Sequence, residues 1–188
     1  MPPKVKFTKE NIISSALELV RAEGGDALNA RALANKMGIS TQPIFSSFIN
    51  MEELRNAVLG EAEALYLEKI ASVVKSGNYP PYKASGMGYI EFALTERELF
   101  KLLFMRDRSC EVVGSTVEFE LIVQAIMKSL GLSRERAEQF HLEMWIFVHG
   151  IATMVATSYL DFNISLISTM LTDMYMGLKT RFLSENDE

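Results

Sequence analysis

The sequence is poor in the residues that staple, break or catalyse. One cysteine, Cys110, stands among 188 residues, so no internal disulfide framework is possible and the chain suits a reducing, cytoplasmic setting. Prolines number five, two of them Pro2 and Pro3, which leaves long stretches with nothing to interrupt a helix. Two histidines and one cysteine give few nucleophile–base combinations. A Gly-rich phosphate loop, a His-Glu-x-x-His pair, paired-cysteine metal spacing and a Gly-x-Ser-x-Gly elbow are all missing. The expectation is a protein that is not an enzyme, with no metal and no cofactor. Lys4, Lys6 and Lys9 are followed by no continuous apolar segment, so no secretory signal is expected. From Met144 to Leu160 the chain carries no formal charge, about the lower limit for a membrane span. His149, Gly150, Thr153, Thr157 and Ser158 interrupt that run, and Glu143 and Asp161 bracket it. It reads as a buried core or dimer helix, with no membrane partner.

What is present is helical periodicity, on a hydrophobic content of 48% that is ample for a packed core. No run of alternating β-branched residues competes with it. Thr8 is placed to cap a first helix with apolar positions Ile12, Ile13, Ala16, Leu17, Leu19 and Val20, stopped at Gly24-Gly25. Asn29 caps a short helix to Met37, closed by Gly38, and Ser40 caps a third with Pro43 in its first turn. Asn50 with Glu53 opens a long helix over 51–75. A Gly77-Asn78-Tyr79-Pro80-Pro81 loop follows. Thr95 with Glu98, and Ser115 with Glu118, form two further capping boxes. Ser133 caps a long helix to about Tyr159, and Asp161 or Asn163 starts the last, through Phe182. The fold class is all-α: about nine helices, with a three-helix head over 1–50 and a helical bundle over 51–188 that the 51–75 helix connects.

Charge divides the same way. Residues 1–55 hold seven Lys/Arg against six Asp/Glu, a net of +1, and residues 56–188 hold twelve against eighteen, a net of −6. A nucleic-acid contact therefore belongs to the N-terminal part, since phosphate repels the acidic remainder. There, Asn29 to Leu54 has the spacing of a helix-turn-helix. Ala34 is the small residue at the helix crossing, Gly38 the turn, and Leu33, Met37, Ile39, Ile44, Phe45 and Phe48 the apolar anchors. With those inward, Ser40, Thr41, Gln42, Ser46 and Ser47 face out from the start and face of the third helix. Hydroxyls and amides there can bond base edges or phosphates in the major groove. The plainer reading of this spacing is a helical hairpin with solvated polar residues.

These residues resemble the DNA-binding head of the TetR family of repressors. The matching pieces are Glu23-Gly24-Gly25, Asn29 to Ala34, Gly38-Ile39-Ser40, Ile44 to Phe48, and Glu52-Glu53-Leu54. The resemblance covers roughly the first 55 residues. It implies a regulator that binds double-stranded operator DNA, a palindrome, as a homodimer, and that releases it in response to a small-molecule effector. Arg31, Lys36, Ser40, Thr41, Gln42, Pro43, Phe45, Ser46 and Ser47 are the expected DNA contacts. Three positions depart from the family pattern: Phe45 replaces a usual Tyr, Ser47 an occasional His and Met51 a usual Lys. Tyr and Lys there commonly touch operator phosphates, so DNA binding is expected to be weaker or less salt-sensitive than is usual. Arg31, Lys36, Lys4, Lys6 and Lys9 are the compensating cations.

In the bundle, His141, Trp145 and His149 share one helical face at i, i+4 and i+8. Trp145 to His149-Gly150 resembles one class of TetR-family C-terminal domain. The effector pocket implied by the family is expected to draw on Tyr89, Phe92, Phe100, Phe104, Met105, Trp145, His149 and Met154, and so to take an apolar or aromatic molecule. Any of these side chains can equally be plain core. Eleven methionines suit an adaptable cavity or ordinary gap-filling. Gly86 and Gly88 mark a close helix approach, a bend or a weak spot. Arg106, Asp107 and Arg108 read as a solvated connection, and Cys110 as structural. The last two long helices are the expected dimer surface, through Phe147, Ile151, Val155, Ile167, Met170, Leu171, Met174 and Leu178, with Met144, Val148, Ile164 and Tyr175 beside them. The rival reading is a helical ligand-binding or protein-interaction module with weakened DNA binding.

Overall fold

Thr8 opens the first helix, α1 (Lys9–Glu23), through a capping box: its hydroxyl accepts the Asn11 amide and the Asn11 side chain accepts the Thr8 amide. The computed structural model that shows this describes residues 7–107 and 117–184; Lys4, Lys6, Arg108, Cys110 and Ser115 lie outside the described residues. α1 buries Ile12, Ala16 and Val20, and ends at Gly24, whose φ is 86°. A 3-10 turn (Gly25–Ala27) leads to α2 (Ala30–Met37). Asn29 caps α2 by accepting the Arg31 and Ala32 amides at 3.1 and 3.0 Å. Gly38 closes it at φ 65°, ψ 32°, the left-handed conformation that favours glycine.

α3 (Gln42–Ser47) starts one residue later than the spacing predicts, after Thr41 rather than Ser40. Thr41 has helical backbone angles and gives no side-chain cap, so Pro43 in the first turn supplies the local preference for helix. α4 (Met51–Ser76) runs as expected, the Glu53 amide donating to Asn50 Oδ1 at 2.9 Å. Then follow α5 (Pro81–Thr95), α6 (Arg97–Phe104), α7 (Val117–Leu130), α8 (Arg134–Ala156) and α9 (Ile164–Ser184). Among the described residues the fold is all-helical, nine α-helices with no strand.

Packing groups the chain into two compact units. One, the head, holds residues up to Glu68 together with Thr95–Arg106; the other, the body, holds Lys69–Leu94 and the residues from Asp107 onward. The head thus includes α6 as well as α1 to α3 and most of α4. Leu99 and Phe100 of α6 are fully buried, each such side chain contributing roughly 1.5–3 kcal/mol. The Phe104 ring meets Tyr66 edge-on at 5.2 Å. Arg21 donates twice to Glu96, at 2.9 and 2.8 Å. The expected Thr95–Glu98 capping box does not start α6. Its N-cap is Glu96, with no side-chain cap bond, because Arg21 takes the Glu96 carboxylate and Lys101 takes that of Glu98 at 2.6 Å.

The body packs α5, α7, α8 and α9 around Phe140, whose ring meets both Tyr175 and Phe182 edge-on at 5.5 Å. Of the three roles open to Gly86 and Gly88, close approach is the one found. A Cβ on Gly86 would stand 3.2 Å from Leu171, and one on Gly88 3.1 Å from the Ile70 backbone. α8 and α9 run antiparallel: Arg181, late in α9, donates to Glu143 at 2.8 Å, and Arg136 of α8 donates to the Phe182 carbonyl. Ser133 caps α8 as expected, but the helix stops at Ala156 rather than near Tyr159. Ser158 turns to φ 56°, and the Thr157 hydroxyl and the Tyr159 amide bond back to the carbonyls of Thr153 and Met154. Among the described residues no helix is long and apolar enough to cross a membrane.

Candidate functional site

In the head, Ile44 and Phe48 are sealed in the core and fix the roll of α3. Ser40, Gln42 and Ser46 face outward, while Thr41, Pro43 and Ser47 are half-buried. Phe45, expected among the inward anchors, is instead 48% exposed. Gln42, Phe45 and Ser46 stand at i, i+3 and i+4 and form one outward stripe. Ile44 and Phe48 already fill the inward side, so the Phe45 ring has no room there. Ile49, just past the end of α3, is 88% exposed, which nothing in the spacing predicted. Both serine hydroxyls donate back into the helix, Ser46 to the Gln42 carbonyl at 2.9 Å and Ser47 to the Pro43 carbonyl at 3.1 Å. With its proton so used, the outward Ser46 hydroxyl is left as an acceptor, which suits a base amino group and not a phosphate.

The cations of the head are mostly committed as well. Lys36 pairs with Glu18 at 3.3 Å. Lys9 pairs with Glu53 at 2.8 Å and sits 4.6 Å above the Phe48 ring. That lysine, with the Ile49 amide, holds the Glu53 carboxyl below the usual carboxylate range. Arg31 is exposed and its guanidinium makes no ion pair among the described residues. Met51 is half-buried at the start of α4.

In the body, the Tyr89 hydroxyl lies 2.8 Å from His149 Nδ1, and Trp145 stacks on the His149 ring at 5.1 Å and 14°. Two turns back along α5 and α8, the Tyr82 hydroxyl lies 3.0 Å from His141 Nδ1, a second pair whose tyrosine no spacing marks. Burial holds the His141 imidazole below its ordinary value, and burial together with the neighbouring Tyr175 phenol pushes the Tyr82 phenol up. Thr153 continues the stripe of His141, Trp145 and His149 by one further turn, and its hydroxyl is buried with no partner. The eight expected pocket residues are not brought together in one unit. Tyr89, Phe92, Trp145, His149 and Met154 belong to the body; Phe100, Phe104 and Met105 belong to the head, where α6 packs with α1. Phe92 and Phe100 are buried, each in its own unit, while Trp145 and Met154 are exposed.

The expected dimer residues divide too. Ile151, Val155, Ile167, Leu171 and Leu178 are buried in the body's own core. Phe147, Met170 and Met174 are half-buried. α8 is apolar on two faces, so the sequence does not tell its inward stripe from its outward one. The outward side carries Leu142, Trp145, Ile146 and Met154 on α8, and Leu166 and Met176 on α9. Gly150 and Gly177 lie on these two helices, and a Cβ on either would meet nothing within 4 Å.

Known proteins share these features. Residues 82–174 match a family described as the Tetracyclin repressor-like, C-terminal domain. Over 92% of its length the chain is 26% identical to a protein of Mycobacterium tuberculosis named an uncharacterized HTH-type transcriptional regulator, of which the match covers 80%. A solved structure of a TetR family member from Streptomyces coelicolor A3 superposes with a TM-score of 0.60 at 15% identity, over 88% of this chain and 96% of that one. At that identity the likeness speaks for the fold alone. The helix-turn-helix head, the matched C-terminal domain and the named relative together support a TetR-family transcriptional regulator.

Proposed function

We propose that this chain is a ligand-responsive repressor that binds a palindromic operator as a homodimer. The observation that carries the operator reading is the outward stripe of α3, with Ile44 and Phe48 locking the helix behind it. Residues 1–50 supply DNA reading, through Ser40, Thr41, Gln42, Phe45 and Ser46, with Arg31 as the uncommitted cation. Lys36 contributes only by leaving Glu18. Residues 51–188 supply effector binding and dimerisation, the helix over 51–75 connecting them.

The dimer reading rests on the outward apolar side of α8 and α9, where Ile146 is 56% and Met176 51% exposed. Gly150 and Gly177 would let partner helices approach closely, and two antiparallel helices from each subunit make a four-helix interface. The effector reading rests on Thr153. A buried hydroxyl without a partner costs about 1–3 kcal/mol, which a polar group on a bound molecule would offset. The neighbouring Trp145–His149 stack suits an apolar or aromatic body for that molecule. Effector binding would favour a head spacing that no longer matches major-groove half-sites about 34–36 Å apart.

Selection of the purified protein against random duplex DNA at low salt tests this directly. Enrichment of a palindrome, bound by a dimer, is the expected outcome. Release of that duplex by a small molecule, lost in Thr153→Val without loss of folding, would support the effector reading. A protein that enriches no duplex at any salt concentration is not an operator-binding repressor.

A further inference from the structure

Phe45 and Gln42 share one outward stripe of α3, yet neither is needed where it stands to hold the head together. Ile44 and Phe48 fill the core beneath them. The Gln42 side-chain amide makes no hydrogen bond among the described residues. Arg31 on α2 and the Ser40 and Thr41 hydroxyls ahead of α3 keep their donors among the described residues, but along the stripe itself the means of holding phosphate are scarce. Ser46 and Ser47 have used their protons inside the helix, Lys9 and Lys36 are ion-paired, and Ile49 is exposed and uncharged. A face with free acceptors, one free amide and exposed apolar carbon is chemically matched to base edges rather than to the sugar–phosphate backbone.

The base edges it matches are those of A·T pairs. A glutamine amide both donates to adenine N7 and accepts from adenine N6, and apolar carbon in the major groove meets only one base-borne alkyl group, the thymine C5-methyl. Resting on the operator reading above, we propose that Phe45 is a specificity-determining residue that packs its ring on a thymine methyl, with Gln42 bonding an adenine one turn away along the same stripe. Ile49, exposed just past the end of α3, would extend the apolar contact. The position would then read a methyl group through burial, where a hydroxyl at the same ring would hold a phosphate.

The test uses the full-length protein and duplexes enriched from random DNA, each half-site thymine being replaced in turn by deoxyuridine, which differs only in lacking the methyl. At one or two positions per half-site, binding is expected to weaken about four-fold, the worth of one buried methyl. In Phe45→Ala that discrimination should vanish while Gln42→Ala retains it. Because Phe45 is half exposed, Phe45→Ala should fold as the parent does, and its helical circular dichroism checks this. Half-sites without thymine, or equal binding of the thymine and deoxyuridine duplexes, overturn the inference while leaving the operator reading intact. Failure to enrich any duplex overturns both. A Phe45→Ala protein that loses self-association instead of thymine discrimination assigns the face to a protein contact, and overturns it as well.

Discussion

In the head, Gly38 holds φ 65° where the chain turns from α2 toward α3, and Gly25 leaves room for Leu102, which a Cβ would meet at 2.9 Å. In the body, Gly150 and Gly177 sit inside α8 and α9, where a Cβ would meet nothing within 4 Å. A glycine within a helix costs roughly 1 kcal/mol relative to alanine. Gly25 and Gly38 serve a close approach and a turn inside their own unit, although Gly60 within α4 meets nothing either. The body's pair offset that cost nowhere within one chain. The head thus exposes apolar surface mainly around α3, at Phe45 and Ile49, whereas the body does so along one side of two helices.

Breaking that contrast should have its largest effect along that side of the body. Ile146→Glu combined with Met176→Glu places unpaired charges on the proposed interface, at several kcal/mol each. Sedimentation should show a dimer for the parent and a monomer for the variant, with operator affinity falling at least about 100-fold and helicity unchanged. A dimer that survives both substitutions would put the contact on another face. Next in size, Ile44→Ala should cost the head about 2–5 kcal/mol. Hydrogen exchange should then show α1 to α3 losing protection while α8 and α9 keep theirs; equal loss in both would erase the distinction between the units.

Smaller effects sharpen the contrast. Met51→Lys adds one cation at the start of α4, and should steepen the log–log salt dependence of operator binding by about 0.9. Phe45→Tyr adds a hydroxyl without charge, so it should tighten binding and leave the slope alone. If both change the slope alike, the sparse cation supply of the head is not what sets it. The smallest effect concerns pH. Both histidines lie in the body, and burial lowers the His141 imidazole. The unfolded chain therefore takes up that proton at a higher pH than the folded body does. The associated stability is complete above about 6.5, the unfolded value, and diminishes as pH falls from there toward the folded value. The melting temperature of the body should drop between pH 7.5 and 5.5, and His141→Gln should flatten that drop.

The elements most legible in the sequence were those fixed by neighbours three or four residues away. Thr8, Asn29 and Ser133 cap where they stand, and Gly38 turns where it must. Thr95 and Glu98 looked like a cap of the same kind, but Lys101 one turn on takes the Glu98 carboxylate and Arg21, from a distant part of the chain, takes that of Glu96. The outward side of α3 was legible except at Phe45, because an aromatic residue between two buried ones reads as core until the core is seen to be full. The inward and outward stripes of α8 were not separable, since Ile146 and Ile151 are the same residue type and only the position of α5 and α9 decides which is covered. Thr153 offered no signal at all.

Tyr82 and Tyr89 are seven residues apart on α5, and their partners His141 and His149 are eight apart on α8. Two such bonds at nearly matched intervals act as a detent. If α5 slides along α8 by part of a turn, both tyrosine hydroxyls part from their imidazoles together, and neither finds the other's partner until the slide is about two turns long. Packed helices fastened in this way hold discrete settings. If the body takes an effector as proposed, a body so notched would answer it as a click and not as a drift, and the dose response would record how many molecules have moved, never how far each has gone.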